Sequence, residues 1–305
     1  MSTHPHLQHT QANGISQASF EWRPALQGHG PTLWLVHATG FHARVWDQTI
    51  AHLPGHHIIA SELRGHGRSQ AADFDDWRVF GHDQAALATA FGLQAAVGVG
   101  HSMGAHALLH AAVLAPGAFR QLVLVDPVLL APADYLLPAP PPGTLHPAAG
   151  RKNQFESAQA MAERFAGRPP YSVFTPQALQ DYCEHGLRPV DSSKGSAGGF
   201  QLACAPAFEG KVYPLARAYP GIYACIRALH IPVLVLRARP QDPSVRPWDP
   251  LGSPTWPGLA GEFRFGRDLQ LLDKTHLLPM EDPALLARLI SQAMAELDRP
   301  PASGQ

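Results

Sequence analysis

VGVGHSMGAH, residues 97–106, runs an apolar stretch into a serine boxed by glycines. Gly98 and Gly100 precede Ser102, Gly104 follows it, and an alanine-rich segment continues to Ala115. The pattern at 100–104 is G-x-S-x-G. A serine on a sharp turn from strand to helix needs a strained backbone with positive φ, and residues two places either side are crowded. Glycines at 100 and 104 remove the side chains that would clash. The turn lifts the Ser102 hydroxyl above the edge of a sheet, at the start of a helix whose dipole favours negative charge. The alternative, a plain glycine-rich turn, has no need of a strand before it and a helix after it.

Working outward, the chain alternates short apolar strands with helical segments. PTLWLV ends at residue 36 and opens into the small-residue loop HATG, as a buried parallel strand would. HIIA (57–60) is a second strand before a glycine-rich turn, and 80–93 has helical spacing with Leu87 and Phe91 on one face. FRQLVLVDP is a further strand ending at Asp126. The texture then changes. PAPPPGTLHPAAG (138–150) reads as a connector, and 153–167 and 175–187 read as amphipathic helices, the latter with Thr175 as N-cap and Pro176 in the first turn. The alternation resumes at HIPVLVLRARPQD (230–242), followed by short strand and turn signals and an amphipathic helix over 282–297.

Strands alternating with helices imply an α/β fold with a mostly parallel central sheet and right-handed crossovers. The expected organisation is a flexible N-terminal tail (1–19), a core formed by 20–127 and 228–299, and a helical cap inserted at 128–227. Ligands of open α/β sheets bind at the carboxyl ends of the strands, where this cap would sit.

A serine hydroxyl is a poor nucleophile without a base. His276, in DKTHLLPMEDP, follows the terminal strand and precedes the last helix, which suits that role. The base needs a carboxylate to hold its tautomer. Asp242 lies beyond the strand IPVLVLRA, and Asp126 ends LVLVDP; both belong to the correct sheet edge. An oxyanion needs two backbone donors. Met103, just after Ser102, and Thr39, between the small residues Ala38 and Gly40, are the candidates.

Composition bounds the partners. In 305 residues, 45% are apolar, 15% are charged, and the net charge is −1, which gives no electrostatic case for nucleic acid or an anionic membrane. No apolar run reaches the roughly 18 residues of a spanning helix. The first residues lack the pattern of a secretory signal. The three cysteines, Cys183, Cys204 and Cys225, show neither disulfide-framework nor zinc spacing, so the expected compartment is the cytoplasm. The 18 histidines include HPHLQH near the start, read as a polar tail rather than a metal site.

LVHATGFHARVW, ELRGHGRS, GHSMG, LVLVDP, IPVLVLRARPQD and THLLPMEDP fall in the order and spacing of the α/β-hydrolase superfamily. The sequence resembles its cap-bearing branch of carboxylesterases, cofactor-free haloperoxidases and C–C hydrolases, over roughly residues 20–127 and 230–297. The resemblance implies Ser102 as nucleophile, His276 as base, Asp242 as acid with Asp126 as the alternative, and Met103 and Thr39 as oxyanion donors. Three positions depart from the family pattern: His37-Ala38 replaces the usual His-Gly, Pro240 stands before Asp242, and Glu62 replaces the usual Asp. Haloalkane dehalogenases and soluble epoxide hydrolases carry Asp at the elbow, so Ser102 points away from both.

The expected activity is a carboxylesterase for small or medium esters, working through an acyl-enzyme, with no cofactor and no metal. C–C bond or lactone hydrolysis by the same triad is the nearest alternative, and a ligand-binding receptor on the same scaffold is a third. The expected partner is a small-molecule ester or related carbonyl compound, with the chain as monomer or homodimer. Phe41, His101, Phe155, Phe165, Tyr171 and Phe174 are candidate pocket residues, beside Tyr182. Arg151, Lys152, Arg164, Arg168 and Arg188 are candidate cations for an anionic substrate.

Overall fold

The computed structural model describes residues 4–138, 140–141, 143–190, 199–245 and 249–297. In chain order the elements are β1 (His6–Ala12), β2 (Ile15–Trp22), β3 (Leu33–Val36), α1 (Asp47–Ala51), β4 (Ile58–Ser61), α2 (Arg78–Ala90), β5 (Ala96–His101), α3 (Met103–Leu114) and β6 (Phe119–Val125). Next come β7 (Gln154–Phe155), α4 (Ala158–Phe165), α5 (Pro176–His185), β8 (Leu187–Pro189), β9 (Phe200–Leu202), α6 (Pro206–Val212) and α7 (Ile222–Ala228). The chain closes with β10 (Val233–Arg237), β11 (Gly266–Gln270), α8 (Leu278–Glu281) and α9 (Pro283–Leu297).

Eight strands form one sheet in the order β1-β2-β4-β3-β5-β6-β10-β11. From β4 to β11 all neighbours are parallel, and β1 and β2 are added antiparallel at one edge. The central strands read as continuous apolar runs because helices cover both faces. Residues 33–36, 58–61, 96–101 and all but Arg120 of β6 are buried. One face packs Trp34, Leu87, Leu108, Leu122 and Ile226; the other packs Leu35, Trp46, Val99, Val123 and Ile290.

The N-terminal segment is not a tail. Residues 6–12 pair with 15–21 through a two-residue turn at Asn13 and Gly14, with φ of 49° and 78°. Asn-Gly is the preferred sequence for such a turn, because both central residues need positive φ. Asn13 Nδ2 also donates to Asp83 Oδ1 at 2.7 Å, tying the hairpin to α2.

The segment between β6 and β10 breaks the alternation and is not wholly helical. It contains α4 to α7 and a small antiparallel sheet ordered β7-β9-β8. Thr175 caps α5, its hydroxyl accepting from Ala178 N, with Pro176 in the first turn. The segment rests on the loops at the carboxyl ends of the strands. His42 Nε2 is 3.1 Å from the Tyr182 carbonyl, Arg68 donates to the His185 carbonyl at 2.6 Å, and Thr175 N donates to the Met280 carbonyl at 2.9 Å. Within the proline- and glycine-rich connector 138–150, residues 139 and 142 lie outside the described residues. No described helix is long and apolar enough to cross a membrane.

Candidate active site

Ser102 sits between β5 and α3 with φ 57° and ψ −120°. Both flanking glycines are required, for different reasons. A Cβ on Gly100 would lie 2.5 Å from Ala105 Cα, inside the turn itself. A Cβ on Gly104 would lie 2.4 Å from the carbonyl oxygens of Val36 and His37, at the end of β3. The Ser102 N–H donates to the Val125 carbonyl at 3.0 Å, which anchors the elbow to the end of β6.

His276 Nε2 lies 3.0 Å from Ser102 Oγ, and His276 Nδ1 lies 2.6 Å from Asp126 Oδ2. A carboxylate can only accept, so Nδ1 carries the proton and Nε2 is left to accept from the serine. Asp126 stands just past β6 with φ 45°, a conformation that Asp tolerates better than most residues. Its Oδ1 accepts from Ala238 N at 3.0 Å, Ser253 Oγ at 2.5 Å and Thr255 Oγ1 at 3.2 Å. Burial alone would raise the carboxyl's pKa, but the hydrogen bonds from His276, Ser253 and Ala238 hold it below the ordinary carboxylate value. Asp126 is therefore ionised at neutral pH.

The structure does not bring Asp242 to the histidine. Asp242 is exposed and accepts from the N–H and hydroxyl of Ser244 two residues on, at 2.9 and 2.7 Å. The loop after β10 turns that carboxylate to solvent and sends Ala238, Ser253 and Thr255 toward Asp126 instead. The expected order of preference between the two acids is thereby reversed.

Thr39 and Met103 are both buried and face one another, the Thr39 hydroxyl donating to Met103 Sδ at 3.4 Å. Among the described residues, neither N–H is given to a backbone carbonyl of another segment. Ala38, in place of the usual glycine, does not have positive φ, so its methyl group costs no strain; the positive φ falls on Gly40, at 79°.

Two histidines that hold this site have no catalytic signature in the sequence. His37 Nε2 accepts from Leu63 N at 3.0 Å, so its Nδ1 is the donor to the Ala38 carbonyl, 2.8 Å away. His101 Nε2 donates to the His276 carbonyl at 2.7 Å. Burial first, then the nearby His276 ring, lowers the His101 pKa to about 3, so it is neutral. His101 is fully buried, its ring 5.0 Å from the His276 ring between centroids, and it holds that histidine through the carbonyl contact.

The aromatic residues proposed from the sequence as pocket candidates form one cluster. Phe41 lies 5.3 Å from Tyr182 and 6.3 Å from Phe174, and Phe165 stacks on Tyr171 at 4.2 Å. Phe155 joins through Phe165 at 5.9 Å. Phe41 reaches the triad through His101 at 6.4 Å. Of the candidate cations, Arg164 and Arg168 are exposed, Lys152 lies over the Phe155 ring, and Arg188 is partly buried. Arg151 is no free cation: Glu209, Tyr171 and Tyr182 surround it. Among the described residues, no group of three or more His, Cys, Asp or Glu side chains is arranged to hold a metal ion.

Comparison with known proteins bears on the fold. Over 134 residues the chain is 34% identical to lipase LipV of Mycobacterium tuberculosis, a match covering 37% of this chain and 51% of that protein. The chain thus spans about half the length of that curated relative. Among solved structures, E-2-(acetamidomethylene)succinate hydrolase superposes with a TM-score of 0.73 at 21% identity, covering 96% of this chain and all of that one. A thioesterase domain from the curacin biosynthetic pathway gives 0.71 at 17% identity, over 94% and 99% of the two chains. An esterase of Mycobacterium tuberculosis gives 0.65 at 20% identity, over 95% and 91%. The sequence pattern of the alpha/beta hydrolase fold matches residues 31–281, which include Ser102, Asp126 and His276. The chain belongs to the alpha/beta hydrolase family.

Proposed function

We propose that this protein is a serine hydrolase that cleaves carboxylic esters through an acyl-enzyme. The observation that carries the reading is the unbroken hydrogen-bonded line from Ser102 Oγ through His276 to Asp126 Oδ2. His276 Nε2 takes the Ser102 proton as Oγ attacks the ester carbonyl. Asp126 holds the Nδ1 proton and stabilises the imidazolium that forms. The tetrahedral oxyanion sits on the N–H groups of Thr39 and Met103, at the start of α3. His276 then protonates the departing alcohol, and water, deprotonated by the same ring, releases the acid. The likeness to a lipase supports ester bonds as the target, and the aromatic cluster around Phe41 suits an apolar acyl group.

The test is hydrolysis of p-nitrophenyl esters from acetyl to palmitoyl by the wild type and by Ser102→Ala. Turnover by the wild type with loss in the variant, by about 10³-fold or more, is the expected result, and the chain-length optimum sizes the acyl site. Silence from both across the series would overturn ester hydrolysis and bring C–C or lactone substrates forward.

A further inference from the structure

The segment between β6 and β10 meets the loop after β3 through a buried ion pair that the acyl-transfer steps do not use. Arg151 Nη1 donates to Glu209 Oε2 at 2.9 Å, and Nη2 donates to the hydroxyls of Tyr171 and Tyr182, each at 2.9 Å. Glu209, on α6, is only 4% exposed and also accepts from the Tyr213 hydroxyl at 3.4 Å. Its carboxylate lies flat against Gly40: a Cβ built on that glycine would be 2.6 Å from Oε1 and 2.9 Å from Cδ. Tyr182 closes on the same loop, its ring 5.3 Å from Phe41 and stacked at 5.9 Å on His42.

Gly40 is bonded directly to Thr39, the donor assigned to the oxyanion. Two helices outside the central sheet, α5 through Tyr182 and α6 through Glu209, therefore converge on the loop that must place one N–H. A carboxylate at this position has two effects. Its packing fixes the loop, and its charge opposes the negative charge that develops on the substrate oxygen. A buried carboxylate in turn demands a partner, and Arg151 is that partner. We infer that Glu209 is a positioning residue for the Thr39 oxyanion donor, and that Arg151 keeps the Glu209 charge from opposing the oxyanion. The inference rests on the serine-hydrolase reading above.

The experiment compares wild type, Arg151→Met, Glu209→Gln and the double variant on the p-nitrophenyl ester that the wild type cleaves best. Active sites are counted by fluorophosphonate titration, so partial misfolding does not count as slow chemistry. Arg151→Met leaves an unpaired carboxylate against Gly40, next to the oxyanion donor, and kcat per active site is expected to fall roughly tenfold or more, with KM within about twofold. Adding Glu209→Gln to Arg151→Met removes that charge and is expected to recover much of the loss. Packing alone predicts no such rescue. Unchanged kcat per active site in Arg151→Met, or a double variant slower than either single one, would overturn the inference. Where Arg151→Met fails to fold, Arg151→Lys serves: it keeps the charge and is expected to hold kcat within about threefold, and a larger loss counts against the electrostatic role. A wild type with no Ser102-dependent turnover sinks the hydrolase reading itself, an outcome distinct from an active wild type indifferent to Arg151.

Discussion

Asp126 and Asp242 are the same residue type, at the ends of neighbouring strands, and hydrogen bonding separates them. Asp126 accepts four hydrogen bonds, one of them from the catalytic-base candidate. Asp242 accepts two, both from Ser244. Asp126→Asn keeps the shape but loses the acceptor that sets the His276 tautomer. Its kcat on a p-nitrophenyl ester is expected to fall by about 10³–10⁴-fold, while Asp242→Asn stays within about twofold. Equal losses in the two variants would contradict the assignment. The choice was not legible in the sequence, because both carboxylates satisfy the rule of position at the strand end. What excludes Asp242 is the course of residues 238–244, which depends on Ser253 and Thr255 arriving from further along the chain. Ser102 and His276, by contrast, were legible from their flanks: glycines two places either side of one, and a terminal-strand loop before the last helix for the other.

At the scale of the element, the turn from β5 to α3 is where the fold and the site are the same object. Gly104 admits the backbone of β3 to within contact of the helix start. Gly104→Ala forces the added carbon against two backbone carbonyls that no side-chain rotation can relieve. A loss of roughly 1–3 kcal/mol in unfolding free energy is expected, with a fall in activity larger than the stability loss explains, because Thr39 follows the displaced strand by three residues. Urea denaturation and steady-state kinetics on the same preparation check this, and an unaltered protein on both counts would refute it. The N-terminal hairpin teaches the converse lesson. Its first strand is polar and mostly exposed, so apolar periodicity is weak there. The Asn13-Gly14 pair was the signal that marks it, and turn chemistry rather than hydropathy reveals such edge strands.

Across the whole molecule, buried histidines couple stability to pH. Burial lowers the pKa of His66 to about 4 and those of His101 and His106 to about 3. In the unfolded chain the same rings titrate near 6.5. Below about pH 6.5 the unfolded state therefore binds protons that the native state refuses. Stability is complete above that pH and is lost as pH falls toward 4, by up to about 1.4 kcal/mol per pH unit for each ring. His106 isolates the effect, since among the described residues neither ring nitrogen has a hydrogen-bond partner and the ring packs edge-on to Trp77 at 5.1 Å. His106→Leu is expected to flatten the pH dependence of the urea midpoint between pH 6.5 and 4.5 while leaving the midpoint at pH 7.5 nearly unchanged. A slope identical to wild type would contradict this account.

Readable from the amino-acid sequence alone were the α/β architecture, the serine elbow at 102, the histidine at 276 ahead of the last helix, and the place where the alternation breaks. These are local properties: apolar runs of strand length, glycines where a side chain cannot fit, and proline and glycine at element ends. Only the tertiary structure decided that Asp126 and not Asp242 meets His276, that His37 and His101 hold the site, and that Arg151 is spent on Glu209 rather than left free. Each of these turns on which of several chemically equal groups arrives within hydrogen-bond distance from a remote part of the chain, 150 residues away in the case of His276 and Asp126. That distance is set by the packing of whole elements, and no local pattern encodes it.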